Sequence, residues 1–400
     1  DKGGNTDWFD AATRTGQVVK QTLTISGGNI KTNYRVTVDH RYANGIDLRS
    51  DRKEYGARAS INHTTASGLL TFTANIAPRY VKRKFSDWSW FSNLLRNNPT
   101  TDPVQSDGSY TDFWGQPGAN VIEEMKTVKS DGEVKMLAWD GTAKLNILPL
   151  LVPKRDDMSL TARITFSEQH IDKFDGYYSP STLNANIHEN YKGQASRSYN
   201  NSINRNLDLV VNYTWDYKRM HHLAAMLGYS YGYGMGQGLN GNNKDFASDA
   251  TSYNNLGSGE WLAAEKGRTG LGTFKEDHKL IGFFGRLNYN YRERYIASFS
   301  IRHEGSSRFG FNNKWGNFPA VSVGWRISDE PFMKWSKGWL TDLKLRYDYG
   351  VTGNQEIGNY QSLSIYRAFG YYIYDGKSYR VWGPANNVNP NLRWEKGHNQ

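Results

Sequence analysis

The feature that most constrains this chain is an alternation of apolar and polar residues with period 2, repeated in segments of roughly ten residues along most of its length. Met158, Leu160, Ala162, Ile164 and Phe166 alternate with Ser159, Thr161, Arg163, Thr165 and Ser167 without exception. Tyr34, Val36 and Val38 follow the same rule, as do Leu207, Leu209, Val211, Tyr213 and Trp215. So do Tyr295, Ala297, Phe299 and Ile301, and Leu343, Leu345, Tyr347 and Tyr349. Successive side chains of a strand point to opposite faces, so each segment reads as a strand with one apolar, aromatic face and one polar, charged face. About twelve or thirteen such strands are predicted, more than open sheets usually carry. Helical patterns are confined to 88–96, with Asp87 as a candidate N-cap, and to 330–339 after Asp329.

The connectors carry a second pattern. Short or moderate ones (26–29, 64–68, 149–157, 216–220, 292–294) alternate with long ones (40–54, 79–131, 170–201, 232–277, 303–318). A soluble β-sandwich or propeller would share the alternation, but three features favour a transmembrane barrel. Its two rims have unequal loops, its strands of roughly 9 to 11 residues match a tilted crossing of the hydrocarbon layer, and aromatic girdles flank its apolar band. Strand-terminal aromatics do recur here: Tyr34, Tyr55, Tyr213, Trp215, Tyr229, Tyr231, Tyr289, Tyr291, Trp325, Tyr347 and Tyr349. The predicted fold class is therefore all-β, a transmembrane antiparallel β-barrel. The glycines at 232, 234, 236 and 238 open no helix and read as a strand end entering a loop rather than a dinucleotide fingerprint.

Composition closes other routes. With 13 Trp, 26 Tyr and 17 Phe the chain carries more burial energy than a disordered one. The longest apolar run, 148–152, contains Pro149 and is far too short for a spanning helix. There is no Cys, which removes disulfides, thiolate metal sites and thiol nucleophiles. The chain opens on Asp1 without an initiator Met or a signal pattern and reads as the interior of a longer polypeptide.

Chemistry is sparse. His221 and His222 are adjacent on a predicted strand and diverge to opposite faces, and neither His188-Glu189 nor His303-Glu304 has the helical partner of a zinc site. Glu123-Glu124 and Asp156-Asp157 lie in connectors as solvated charge. No catalytic constellation stands out, so the expectation is a non-enzyme without cofactor or metal. The excess of 49 Lys and Arg over 39 Asp and Glu gives a net charge of +10, spread over loops and the polar strand face at Arg35, Arg58, Arg163, Arg286, Arg302 and Arg346. That scatter suits a wet lumen and contact with anionic outer-membrane lipid rather than a nucleic acid. Trp88, Trp90, Phe91, Tyr110, Trp114, Tyr177 and Tyr178 fall in long connectors, where rings stack on sugars or bury peptide side chains. Of these, Trp88, Trp90, Trp114, Tyr177 and Tyr178 are the candidate substrate-binding residues.

At 302–333 the run RHEGSSRFGFNNKWGNFPAVSVGWRISDEPFM resembles a barrel segment of the SusC/RagA family of TonB-dependent transporters of Bacteroidetes. LKLRYDYGVTGNQEIGNY at 343–360 and NPNLRWE at 389–395 agree with it. The opening is similar too, with Thr6-Asp7-Trp8 and the turn Ser26-Gly27-Gly28 before Thr32-Asn33-Tyr34. This resemblance implies a 22-strand plugged barrel of which residues 1–400 are the first half or slightly more, with the signal peptide, TonB box, plug domain and C-terminal strands outside the chain. It implies active import of oligosaccharide across the outer membrane, powered through TonB and assisted by a SusD-like surface lipoprotein that caps the barrel. It also implies a dimer of transporter–lipoprotein pairs. Peptide cargo is the alternative within the family, and a structural or adhesive barrel that transports nothing is the alternative outside it. Around 308–319, Gly310 and Gly316 are expected to allow tight backbone turns, and Phe309, Trp315 and Phe318 to anchor a strand at the outer interface.

Overall fold

The structure is a computed structural model that describes residues 4–86, 89–115, 118–152, 155–264, 268 and 270–400. Its strands are β1 (Gln17–Gly28), β2 (Thr32–Asn44), β3 (Asp51–Thr64), β4 (Leu70–Lys84), β5 (Lys129–Asn146), β6 (Met158–Ser179), β7 (Gln194–Tyr217) and β8 (His221–Lys244). They continue as β9 (Leu271–Tyr291), β10 (Tyr295–Ser306), β11 (Trp315–Arg326), β12 (Lys344–Asn354), β13 (Tyr366–Tyr374), β14 (Lys377–Pro384) and β15 (Glu395–Asn399). Helices are short: α1 (Trp8–Ala12), α2 (Ser89–Leu94), α3 (Val121–Thr127), α4 (Leu148–Leu151) and α5 (Asn184–His188). Thirteen strands form one antiparallel sheet in the order β1 to β12 and then β15, while β13 and β14 pair only with each other. The sheet does not close on itself, so it is a stretch of barrel wall rather than a whole barrel.

The facing read from the alternation holds. Cross-strand register puts Ala143, Ile164, Leu209, Tyr229 and Phe283 in one continuous row, with His303 beyond them. Phe72, Ile76, Ile164, Leu227, Leu287, Phe299 and Val323 all present exposed apolar side chains on this face. An exposed apolar belt of this kind is what a membrane barrel turns to lipid. Aromatic pairs mark its lower edge: Trp215 and Tyr217 (5.3 Å), His221 and Tyr291 (4.8 Å), and Tyr291 and Tyr295 (6.2 Å). Trp139 with Phe166 (5.1 Å) and Tyr229 with Phe283 (5.3 Å) mark the upper edge. The other face carries the arginines expected there and ion pairs among them. Glu54 accepts from Arg41 at 2.7 Å, from Arg52 at 2.8 Å and from Arg79 at 2.8 Å, so a carboxylate only 5% exposed has three guanidinium partners in the wall.

Connector asymmetry holds in part. Turns of three residues at 29–31, 218–220 and 292–294 lie on one rim, and segments 85–128, 180–193, 245–270 and 355–394 on the other; but the long connectors expected at 40–54 and 303–318 shrink to 45–50 and 307–314, and the long segment 327–343 lies on the rim of the three-residue turns. The Ser26-Gly27-Gly28 turn needs its glycine: Gly28 has φ +137, and a Cβ there would meet the Thr32 carbonyl oxygen at 2.2 Å.

Three expectations are corrected. First, β5 to β9 run for 18 to 24 residues, far beyond a bilayer crossing, because pairing continues past the belt with both faces polar and no alternation to betray it. Second, the glycines at 232–238 are therefore interior to β8. At two of them the space of the missing side chain is taken by a ring of β9, a Cβ at Gly234 lying 2.3 Å from His278 and one at Gly238 lying 2.4 Å from Phe274. Third, the helical patterns shrink. Residues 89–94 form α2, and 327–336 form two 3-10 turns, Ile327–Asp329 and Pro331–Ser336. The candidate cap Asp87 lies outside the described residues.

Candidate functional site

The long-connector rim is where this chain concentrates buried side chains. Segment 85–128 crosses over and packs α2 and α3 against α1, burying Trp8, Ala12, Trp90, Leu94, Phe113, Val121, Ile122 and Met125 together. Trp8 meets Phe113 edge-on at 5.4 Å and donates its Nε1 hydrogen to the Asn98 carbonyl. Asn120 caps α3 by accepting from the Glu123 amide at 3.2 Å, while its own Nδ2 donates to the carbonyls of Pro103 and Thr111. Such a self-supporting core lets a long loop hold a fixed shape.

Two cavities sit around this core. The larger, about 470 Å³, is lined by Arg49, Phe85, Trp90, Glu124, Met125, Tyr177 and Leu183 among others. Arg49 donates to the Glu124 carbonyl at 3.4 Å. Burial holds its pKa below the usual value, against the opposing pull of Asp131, Tyr177, Asp47 and Glu124. Asp47 beneath it is also buried, which by itself would raise its pKa, yet bonds from Ser50, Ser86 and the Arg49 amide leave it below the ordinary carboxylate value. The smaller cavity, about 270 Å³, joins segments 85–128 and 180–193. There Glu123 accepts from the Asn184 amide (3.0 Å) and side chain (3.1 Å), and burial raises its pKa despite those bonds. His188 Nε2 lies 2.5 Å from Asp112 Oδ2, and its ring stacks on Trp114 at 4.5 Å and 11°.

The sequence-predicted site residues divide accordingly. Tyr177 is 42% exposed and shares the polar strand face with Asp175 and Lys173 at the larger cavity. Trp90 reaches the same cavity but is almost wholly buried in the loop core. Trp114 is 56% exposed in the smaller cavity beside His188. Tyr178 stands on the opposite face from Tyr177, 2% exposed, with its hydroxyl donating to Asp249 at 2.5 Å and its ring on Phe246 at 5.9 Å; burial pushes its pKa up. It fastens segment 245–270 to the wall. Trp88 lies outside the described residues. Arg49 and Asp112 were missed, being single charged residues in loops without the spacing that marks a site. Glu123, expected as solvated charge, is instead 4% exposed and bonded to Asn184, and His188, without a zinc partner in sequence, pairs with Asp112 from the other loop.

The recognisable motifs meet at the same rim. Phe309, 1% exposed, packs on Trp394 at 4.8 Å, Phe318 meets Trp394 at 5.1 Å, and Trp394 Nε1 donates to the Lys314 carbonyl. Arg308 donates to Asn359 Oδ1 and to the Gln355 carbonyl, so 302–333, 343–360 and 389–395 form one knot. Here too the expectations change. Gly310 has ordinary φ and is needed for close approach, a Cβ lying 2.1 Å from the Pro390 carbonyl oxygen. Only Trp315 faces lipid, stacked on His303 at 4.6 Å; Phe318 pairs with Arg302 on the polar face. Among the described residues no group of His, Asp and Glu could hold a metal ion.

No family model matches the chain. SusC, a TonB-dependent receptor of Bacteroides thetaiotaomicron, is 26% identical over 412 residues, covering 98% of this chain and 39% of SusC. TonB-dependent receptor P39 of Formosa agariphila is 25% identical over 391 residues, covering 98% of this chain and 35% of the receptor. The chain thus spans less than two fifths of the curated relatives' length. Among solved structures, the RagAB peptide importer in its closed-closed state superposes with a TM-score of 0.78 at 21% identity, over 98% of this chain and 42% of that one. A second structure of the RagAB peptide transporter gives 0.77. Relatives and fold agree with the motifs at 302–395: the chain is similar to SusC/RagA-type TonB-dependent receptors over part of their length, and its sheet has the fold of a stretch of their β-barrel wall.

Proposed function

We propose that this chain is part of the barrel of a TonB-energised importer, with the long-connector rim outside the cell and the three-residue turns in the periplasm. The observation that carries the reading is the two-sided wall: an exposed apolar belt backed by a face of paired arginines and carboxylates. Such a wall crosses a membrane and encloses water. Plug, TonB-contacting segment and closing strands are assigned to the remainder of the receptor. A SusD-like lipoprotein is proposed as the lid. In support, the β13–β14 ribbon exposes Tyr372, Tyr374 and Tyr379 on one face and Tyr371, Ile373 and Trp382 on the other, and a two-stranded ribbon of that kind is marginal until something covers it.

For cargo we propose an oligosaccharide, held at the rim by the half-exposed side chains of Tyr177 and Trp114, the latter on the ring face away from His188, since such rings suit the apolar faces of sugars. Peptide cargo is the second reading, favoured by Arg49 and Glu124 lining one cavity, opposite charges that suit a zwitterionic chain. The test is native mass spectrometry, with peptide identification, of the receptor extracted from outer membranes in mild detergent. The expected result is a mass well above 45.6 kDa, with plug peptides, a co-purifying lipoprotein and bound oligosaccharide. Bound peptides would select the second reading. A lone species near 45.6 kDa would replace the importer by a smaller pore or an adhesin.

A further inference from the structure

The lipid face of β1 to β5 is not uniformly convex. At its outer edge it contains a groove of about 770 Å³ whose lining includes Leu23, Val38, Ala57 and Pro78, with almost all the exposed lining atoms apolar. Register places these four in one cross-strand row, and the next row outward is His40, Tyr55, Tyr80 and Lys135. His40 and Tyr55 lie 4.9 Å apart and Tyr55 and Tyr80 stack at 6.4 Å, making an aromatic shelf above the groove. One row further out stand Tyr42, Lys53, Lys82 and Glu133. Lys53 lies over the Tyr42 ring at 5.7 Å, Lys82 over Tyr80 at 6.0 Å and Lys135 over Phe174 at 5.6 Å. Glu133, 3.7 Å from Lys82, is the one carboxylate in these two rows of β2 to β5; Asp172, across from Lys135, is taken by Tyr199 and Asn201.

Pro78 adds an independent argument. It sits inside a strand paired on both sides, where proline removes a ladder hydrogen bond and is rarely tolerated. The β3–β4 ladder is in fact interrupted between the pairs Gly56–Arg79 and Ala59–Ile76. What proline and the adjacent Ala57 do provide is depth, since both leave room between the longer side chains around them. A local rule broken without structural return marks a functional surface.

We propose that this groove is a stoichiometric binding site for a phosphorylated, acylated lipid of the outer leaflet. Acyl chains lie along Leu23, Val38, Ala57 and Pro78, the aromatic shelf sits at the interface, and the phosphate is held among Lys53, Lys82 and Lys135. The order of the three rows, apolar then aromatic then cationic, is the order of such an amphiphile from tail to head. This rests on the membrane-barrel reading but on neither the cargo nor the transport step.

The experiment uses the intact receptor purified from outer membranes, delipidated, and incubated with lipid A or with the same lipid A dephosphorylated, bound lipid being counted by native mass spectrometry. One tightly held lipid A per receptor is expected, with dephosphorylated lipid A bound roughly ten- to a hundredfold more weakly. The triple variant Lys53→Gln, Lys82→Gln, Lys135→Gln should abolish that preference, and Ala57→Trp, which fills the groove with a side chain at home at the interface, should displace both lipids. Unchanged heat-modifiable gel migration of each variant would certify folding. Equal retention of the two lipids by the wild-type receptor, or unchanged lipid A binding in Ala57→Trp, would overturn the proposal, as would a second receptor copy occupying the face in place of lipid.

Discussion

Replacing Ile164 by Arg tests the facing of the whole wall. Ile164 lies on β6 opposite Ala143 and Leu209, six residues above the girdle position Met158 and four below Glu168, where the outer face turns polar. At about 3.3 Å per residue and a tilt near 45°, these steps put Ile164 roughly 14 Å above the lower edge of the belt and 9 Å below the upper, close to the midplane. A guanidinium there costs about 2 to 4 kcal/mol of barrel stability. The neighbouring Thr165 faces the other way, bonded to Thr142 at 3.1 Å and across from Asp208, so Thr165→Arg loses one hydroxyl bond and gains a carboxylate neighbour. Its cost should stay below about 1 kcal/mol. Urea titration of the intact receptor folded into lipid vesicles, read by heat-modifiable gel migration, gives both numbers. Equal losses would mean that the apolar row does not face lipid, and the membrane assignment of β6 would fail with it.

Trp394→Ala should loosen the motif knot by about 3 to 5 kcal/mol, since the side chain is buried on two aromatic rings and bonded to Lys314; hydrogen exchange confined to 307–314 and 389–394 would register it. Gly238→Val should cost about 1 to 3 kcal/mol by forcing Phe274 aside, visible as a lower melting temperature, and no loss would refute the ring-on-glycine packing of β8 and β9. The Glu123 junction should weaken as pH rises. A carboxyl whose folded pKa stands above its ordinary 4.5 binds more protons folded than unfolded, so protection at 121–127 and 183–188, corrected for intrinsic exchange, falls from 4.5 upward, and Glu123→Gln removes the slope.

What could be read from the sequence follows from what lipid demands. Inside the belt every second residue must be apolar, so β6, β7 and β10 announced their strands and their facing, and the unequal connectors announced the two rims. Above the belt both faces are wet, the constraint lapses, and the upper half of β8 looked like loop although it pairs without a break to Lys244. The same lapse hid the difference between Tyr177 and Tyr178. Neighbours in sequence, they sit on opposite faces of a strand that was expected to have ended before them, one open to a cavity and the other clamped by Asp249. Glu123 meets Asn184, 61 residues on, and Asp112 meets His188, 76 residues on, only because two loops share a junction, which no local pattern encodes.

The long strands set the height at which this protein works. From Phe166 at the top of the belt β6 continues thirteen residues to Ser179, a rise of roughly 30 Å at barrel tilt. Segments 180–193 and 245–270 are thus carried on a stiff hydrogen-bonded pedestal. At physiological ionic strength the field of a charged surface decays over about 8 Å, so ligands captured there meet almost none of the leaflet's negative potential. An anionic solute would be admitted or refused by the side chains of the rim, not by the membrane beneath it.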